Sequence, residues 1–302
     1  MVLKLGVFPR GGQSMRSNGL MRLAGVASGL VAAMVSGASA AWAQAEGLSH
    51  PWQVGFQAAA SPVMERVHEF HHLLFAIITA IVVLVLAILG YCIFRFNARR
   101  NPQPSKTAHN TLLEVVWTAV PIMILVVIAI PSMKLLYFSA KAADPEMTLK
   151  VTGHQWYWSY TYPDQGDFTF DSIPVPNDEI DPAKGQVRLL SVDNPVVLPV
   201  GTTVQVLVGS DDVIHNWAVP SLGLKKDATP GRVNETWVRV EKEGTYYGMC
   251  SELCGVNHYF MPIEIHAVSK ADFAKWVEQA KQQFAAQTRP APRLASAGNP
   301  AQ

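Results

Sequence analysis

Cys250-Ser251-Glu252-Leu253-Cys254-Gly255-Val256-Asn257-His258-Tyr259-Phe260-Met261 places two thiols, an imidazole and a thioether in one short run. The run lies between two stretches of strand character, Thr245–Gly248 and Pro262–Val268. Thiolates and thioethers are soft donors, and a Cys, His and Met set favours copper in an electron-transfer role. His215, beyond the strand-like Thr203–Val208, offers a second imidazole. A mononuclear copper site of this type uses one Cys, two His and a weak Met. Here there is one Cys more, and the simplest use of the extra thiolate is to bridge two metals. Taken singly, each residue has a plainer reading. Cys-x3-Cys is a disulfide in an oxidising compartment, His215 beside Trp217 is structural, and Met261 is core. Together, at these spacings, they favour the metal.

Working outward, candidate strands occur at Leu149–Thr152, Gln155–Tyr162, Phe168–Ile173, Val187–Val192, Thr203–Val208, Glu235–Val240, Thr245–Gly248 and Pro262–Val268. They are short, rich in Val, Thr and aromatics, and separated by Gly, Pro, Asp and Asn, the pattern of a sandwich or barrel over 144–268. Ser269 with Asp272 three residues on opens a helix over 269–287. Its apolar stripe is Phe273, Trp276, Val277, Ala280 and Phe284. Residues 288–302 are rich in Ala and Pro, with Gly, Ser and Gln, and read as a disordered tail.

Towards the N-terminus, Leu73 to Phe94 carries no charge and Val115 to Met133 is similarly apolar. At 1.5 Å per residue the first reaches about 33 Å, enough to cross a bilayer core. Pro121 and Pro131 inside the second stretch suggest packed neighbours that re-satisfy the freed carbonyls. The region 44–143 is thus a transmembrane hairpin, with spans of about 73–94 and 115–137. The link holds Arg95, Arg99, Arg100 and Lys106 and no acid, so it stays inside and both flanks lie outside. Residues 1–43 read as a signal peptide: Lys4, Arg10, Arg16 and Arg22 precede an apolar stretch, and Ala41-Trp42-Ala43 offers a cleavage site. Cleavage after Ala40, or a retained first helix, are the alternatives. Within the spans Cys92 reads as a small buried apolar residue.

Composition agrees. Only 16% of the 302 residues are charged and 49% are hydrophobic, which argues against a disordered chain or an ordinary cytosolic enzyme. The net charge of +1 gives no footprint for nucleic acid. Three cysteines are too few for a disulfide scaffold. There is no phosphate-binding glycine motif and no Cys-x-x-Cys-His for haem.

Val213-Ile-His215-Asn-Trp217, Pro230-Gly-Arg232, the run Cys250 to Met261 and Gly153-His-Gln-Trp156-Tyr-Trp158-Ser-Tyr160 together resemble subunit II of cytochrome c oxidase, in its bacterial form with a cleaved leader. The resemblance covers roughly residues 50–284. It implies a cupredoxin-like sandwich holding the two-copper centre called CuA. Carried over by position, Cys250 and Cys254 bridge the coppers and His215 and His258 bind one each. Met261 and the backbone carbonyl of Glu252 are weak ligands. The Glu252 side chain faces subunit I and helps hold magnesium. The resemblance also implies partnership with subunit I, the other oxidase subunits and cytochrome c in a bacterial inner membrane, with the C-terminal domain in the periplasm. Electrons pass from cytochrome c through CuA to haem in subunit I, oxygen is reduced to water and protons are moved; this chain itself holds no haem.

Other residues carry two readings each. Trp156 is the electron-accepting surface indole in the family; by pattern alone Trp156 and Trp158 share one face of a strand as aromatic core. Asp164, Asp167, Asp193 and Asp212 dock cytochrome c by resemblance, or simply form turns. Thr161 stands where many relatives have Glu, which thins that acidic patch. Glu114 takes up protons for subunit I by resemblance, or closes a capping box in Thr111-Leu-Leu-Glu114. His68, His71 and His72 share one helix face and could hold a metal. A membrane-tethered copper-delivery protein is the alternative function. It would need neither Met261, nor the Trp-x-Trp strand, nor a second span. A quinol oxidase subunit of the same fold lacks the two cysteines, and the copper domain of nitrous-oxide reductase lacks the hairpin.

Overall fold

The computed structural model describes residues 47–142 and 144–284; the signal segment 1–43 and the tail 288–302 lie outside them. Among the described residues two long helices come first, α1 (Pro62–Arg95) and α2 (Thr111–Ala140). Both are long and apolar enough to cross a membrane, and the most apolar windows of both are unburied. Ser61 starts α1: its hydroxyl oxygen accepts the Met64 N–H at 3.1 Å, and its O–H donates to the Leu222 carbonyl at 2.7 Å. Cap and tether are thus one side chain, fixing the N-terminal end of α1 to the β domain. Asn110 starts α2. Its Oδ1 accepts the Leu113 N–H at 3.1 Å, while Glu114 Oε1 accepts the Asn110 N–H at 3.3 Å. The reciprocal cap therefore begins one residue before the expected Thr111. α2 runs on through both prolines. Cys92 is exposed near the C-terminal end of α1 rather than buried at mid-span.

Ten strands follow: β1 (Met147–His154), β2 (Tyr157–Tyr162), β3 (Phe168–Ser172), β4 (Val196–Pro199), β5 (Val204–Ser210), β6 (His215–Val219), β7 (Leu224–Ala228), β8 (Asn234–Val238), β9 (Gly244–Cys250) and β10 (Pro262–Val268). They form two five-stranded sheets, β3-β2-β1-β5-β8 and β4-β10-β9-β6-β7. β1 with β5 and β4 with β10 are parallel pairs; the other pairs are antiparallel. Alternation decides which face is buried. Met147, Leu149 and Val151 of β1, Trp158, Tyr160 and Tyr162 of β2, and Val204, Val206 and Val208 of β5 all point inward. They share one core with Leu198, Trp217, Tyr246, Ile263 and Ile265. This is the cupredoxin-like sandwich. α3 (Lys270–Phe284) closes it with Phe273, Val277, Ala280 and Phe284 buried, Phe284 stacking on Phe170 at 4.8 Å. Ser269 caps it, accepting the Asp272 N–H at 3.1 Å.

One expected strand is absent. Val187–Val192 is a turn in which Leu189 has a φ of 68° and the Val187 N–H donates to Ser191 Oγ; only Val192 joins a bridge, to Pro174. β4, β6 and β7 were not among the expected strands. Trp156 precedes β2 rather than lying in it, so it does not share a strand face with Trp158.

Candidate metal centre

Cys250 is the last residue of β9, and Met261 immediately precedes β10. These strands pair antiparallel with Met249 opposite Pro262, so the donor run is the loop that joins them. The Cys250 N–H donates to the Met261 carbonyl at 3.0 Å and closes the loop's base. On the other side of β9, β6 pairs Trp217 with Cys250 and brings up His215 as its first residue. The Ser251 N–H donates to the Asn216 carbonyl at 3.1 Å and pins the loop there. Sheet pairing thus brings a distant histidine to the loop.

The two sulfurs lie 3.8 Å apart and are unbonded. At a metal–sulfur distance of about 2.3 Å, that gap leaves room for a metal touching both. His215 Nδ1 lies 3.8 Å from the Cys250 sulfur, and His258 Nδ1 lies 3.6 Å from the Cys254 sulfur. The Met261 sulfur is 4.0 Å from that of Cys254, and the Glu252 carbonyl oxygen is 3.3 Å from that of Cys250. The ligand atoms of His215, Cys250 and Cys254 thus lie within 4.8 Å of one another, while His258, Met261 and the Glu252 carbonyl each lie against one of the two sulfurs. His215, both thiols and Met261 are buried, as a soft, water-excluding site requires. The soft donor set fits copper. Among the described residues, His215, Cys250 and Cys254 form the metal-competent His, Cys and carboxylate grouping. His68, His71 and His72 are not such a group; His68 and His71 pack against Phe56 instead.

The surroundings shift the two thiols in opposite directions. Burial opposes the Cys250 thiolate, but His215 and the backbone around Asn216 and Glu252 outweigh it and lower its pKa. Burial, then the Cys250 charge, raises that of Cys254. Burial also works against a charged His215, yet its bonds to Cys250 and Asp212 raise its pKa overall.

Asp212 has a second role that sequence reasoning did not assign. Its Oδ1 lies 2.8 Å from His215 Nε2, and its Oδ2 accepts the Gln155 N–H at 2.7 Å. A carboxylate on the far nitrogen of a ligating histidine fixes the ring so that Nδ1 faces the metal. The i, i+3 spacing of Asp212 and His215 was the available signal. Gln155 was missed altogether. Its side-chain amide donates to the Cys254 carbonyl at 2.8 Å, and the Trp156 indole N–H donates to the same oxygen at 3.0 Å. Trp156 thus lies half-buried directly over the ligand loop. Gly255, at a φ of +115°, is what allows this: a Cβ there would come within 3.0 Å of the indole. Gly153 does the same for His215, whose ring would be 2.8 Å from an added Cβ.

The remaining site candidates are placed as follows. Asp164 accepts the Thr148 N–H at 2.6 Å and Asp193 the Ile173 N–H at 2.7 Å. Burial raises the pKa of Asp193 above the usual carboxylate value despite those N–H groups. Asp167 sits in a turn at a φ of 56°. Glu252 is exposed at the rim, and Glu114 lies at the opposite end of the hairpin.

Comparison with known proteins gives the family. The family profile "Cytochrome C oxidase subunit II, periplasmic domain" matches residues 147–268, and "Cytochrome C oxidase subunit II, transmembrane domain" matches residues 49–135. The Rickettsia bellii protein named "Probable cytochrome c oxidase subunit 2" is 55% identical over 227 residues, covering 75% of this chain and 84% of its own. "Cytochrome c oxidase subunit 2" of Oenothera berteroana is 49% identical over 235 residues, covering 76% and 90%. A crystal structure of the periplasmic domain of subunit II of cytochrome oxidase from Bradyrhizobium japonicum is 51% identical. It covers 48% of this chain and 99% of its own, with a TM-score of 0.45. With its two apolar helices, its sandwich and its buried ligand loop, this chain belongs to the cytochrome c oxidase subunit II family.

Proposed function

We propose that this chain is the electron-accepting subunit of a cytochrome c oxidase in a bacterial inner membrane, with its sandwich in the periplasm and a CuA centre in the loop Cys250 to Met261. The observation that carries this is the pair of free thiols 3.8 Å apart with a histidine Nδ1 on either side. When bound there, the two coppers would supply a one-electron relay between cytochrome c and haem in subunit I, where oxygen is reduced to water with proton translocation.

The chain's own residues define how that relay is held. Cys250 and Cys254 would each touch both metals. His215 and His258 would bind one each, with Met261 and the Glu252 carbonyl as weak outer donors. Asp212 orients His215, and the short loop base at Cys250 and Met261 restricts motion of the donors. Trp156 lies between solvent and the Cys254 backbone and provides an aromatic path to it. The Glu252 carboxylate, exposed beside the site, would share a magnesium ion with subunit I. The acids Asp164, Asp167 and Asp193 would steer a basic cytochrome c by long-range attraction. Asp212, committed to His215, contributes charge there as well. Glu114, at the inner end of α2, would deliver protons to subunit I. The same arrangement disfavours a copper-delivery role, since buried thiols under an indole are poorly placed to hand over a metal.

The test is Trp156→Ala in the assembled oxidase. The proposal expects slower electron transfer from bound cytochrome c, with its affinity and the copper spectrum nearly unchanged. A lowered affinity with an unchanged rate inside the complex would make Trp156 a binding contact only.

A further inference from the structure

Between the outer ends of α1 and α2 lies a cleft of about 290 Å³, lined by Arg66, Glu69, Leu73, Pro131, Lys134 and Leu135 among others. Its charged residues are on the side of the β domain, and its apolar ones begin the uncharged span at Leu73. This is the depth at which phospholipid head groups meet acyl chains. Among the described residues, Arg66, Glu69 and Lys134 form no ion pair with one another. The Arg66 guanidinium is held 3.3 Å from the centroid of the Phe138 ring, and Phe138 is fixed through its carbonyl, which accepts the Trp237 indole N–H at 2.8 Å. A cation stacked on an aromatic face is positioned before any anion arrives.

We propose that this cleft binds one phospholipid of the outer leaflet, of the zwitterionic aminophospholipid class. Its phosphate lies between Arg66 and Lys134, and its ammonium lies on Glu69. An acyl chain follows Leu73, Pro131 and Leu135 between the helices. The carboxylate among two cations is what selects a zwitterionic head group: a purely anionic lipid would leave Glu69 facing a like charge. This site rests on the proposed function in one respect, the placing of the hairpin in a membrane.

The experiment uses the whole oxidase in mixed micelles containing phosphatidylethanolamine and phosphatidylglycerol. Native mass spectrometry counts retained lipids in the wild type, in Arg66→Ala/Lys134→Ala and in Glu69→Gln. A photoreactive benzoylphenylalanine in place of Leu135 reports what covers the cleft. The expected result is a lipid adduct at position 135, one phosphatidylethanolamine lost in the double variant, and a severalfold shift towards phosphatidylglycerol in Glu69→Gln. A lipid adduct with lipid retention unchanged in the double variant overturns the binding site alone. A preference for phosphatidylglycerol in the wild type overturns the head-group assignment. An adduct with subunit I in place of lipid overturns the site.

Discussion

Leu84, Leu86 and Ile88 of α1 are 54–60% exposed, whereas Leu149, Val206 and Ile263 of the sandwich are fully buried. Similar side chains meet opposite fates in the two halves of one chain. The sandwich satisfies its own apolar surface: two sheets and a helix enclose it, and its polar edges meet water. The hairpin satisfies its backbone internally but leaves its apolar side chains for lipid or neighbouring subunits. The sandwich is therefore a self-sufficient holder for a rigid site, while the hairpin is an anchor whose energetics depend on what surrounds it. The two meet at Ser61, Phe138 and Trp237, where helix cap and indole bond tie anchor to holder.

The strongest way to break this contrast is to remove core volume on each side. Trp158 is fully buried and packs edge-on against His215 with ring centroids 5.8 Å apart. Trp158→Ala should cost the sandwich about 3–5 kcal/mol and loosen the histidine. Leu89→Ala, at a half-exposed position on α1, should change thermal unfolding in detergent by less than about 0.5 kcal/mol. Equal losses would mean that the hairpin carries packing of its own. A smaller effect is expected at Asp212. Asp212→Asn keeps a hydrogen-bonding group beside His215 but removes its charge, and should weaken metal binding by about 10–100-fold. Competition with a chelator measures it, and unchanged affinity would return Asp212 to a docking role alone. The smallest effect concerns the N-terminal end of α2. Asn110→Ala should cost about 1 kcal/mol of helix stability with turnover preserved. Glu114→Gln keeps an acceptor for the Asn110 N–H but no longer carries a proton, so turnover should fall while copper reduction stays fast. Normal turnover of that variant would leave Glu114 as a cap.

How much was legible in the sequence follows the same division. The spans are visible because lipid imposes one long apolar requirement. The donor run is visible because its chemistry is local: Cys250, Cys254, His258 and Met261 are near neighbours. What sequence hid depends on pairing. β4, Val196–Pro199, is buried at every residue, so it lacks the alternation that marks a half-exposed strand. β7 sits at a sheet edge and carries Lys225, Lys226 and Asp227, charges that disguise a strand while protecting its edge. Val187–Val192 has strand composition, but Leu189 turns the chain. Asp212 and Gln155 reach the site only because β1, β5 and β6 bring their loops together.

The central claim is that Cys250 and Cys254 share two metal ions. Electron paramagnetic resonance of the full chain in detergent, loaded with copper and brought to the one-electron-oxidised state, tests it most directly. The account predicts two coppers per chain and a hyperfine pattern from one electron shared equally between two nuclei. Cys254→Ser should abolish that pattern, because one sulfur no longer bridges both metals symmetrically. A single-copper pattern in the wild type, or a Cys250–Cys254 disulfide without bound metal, would contradict it.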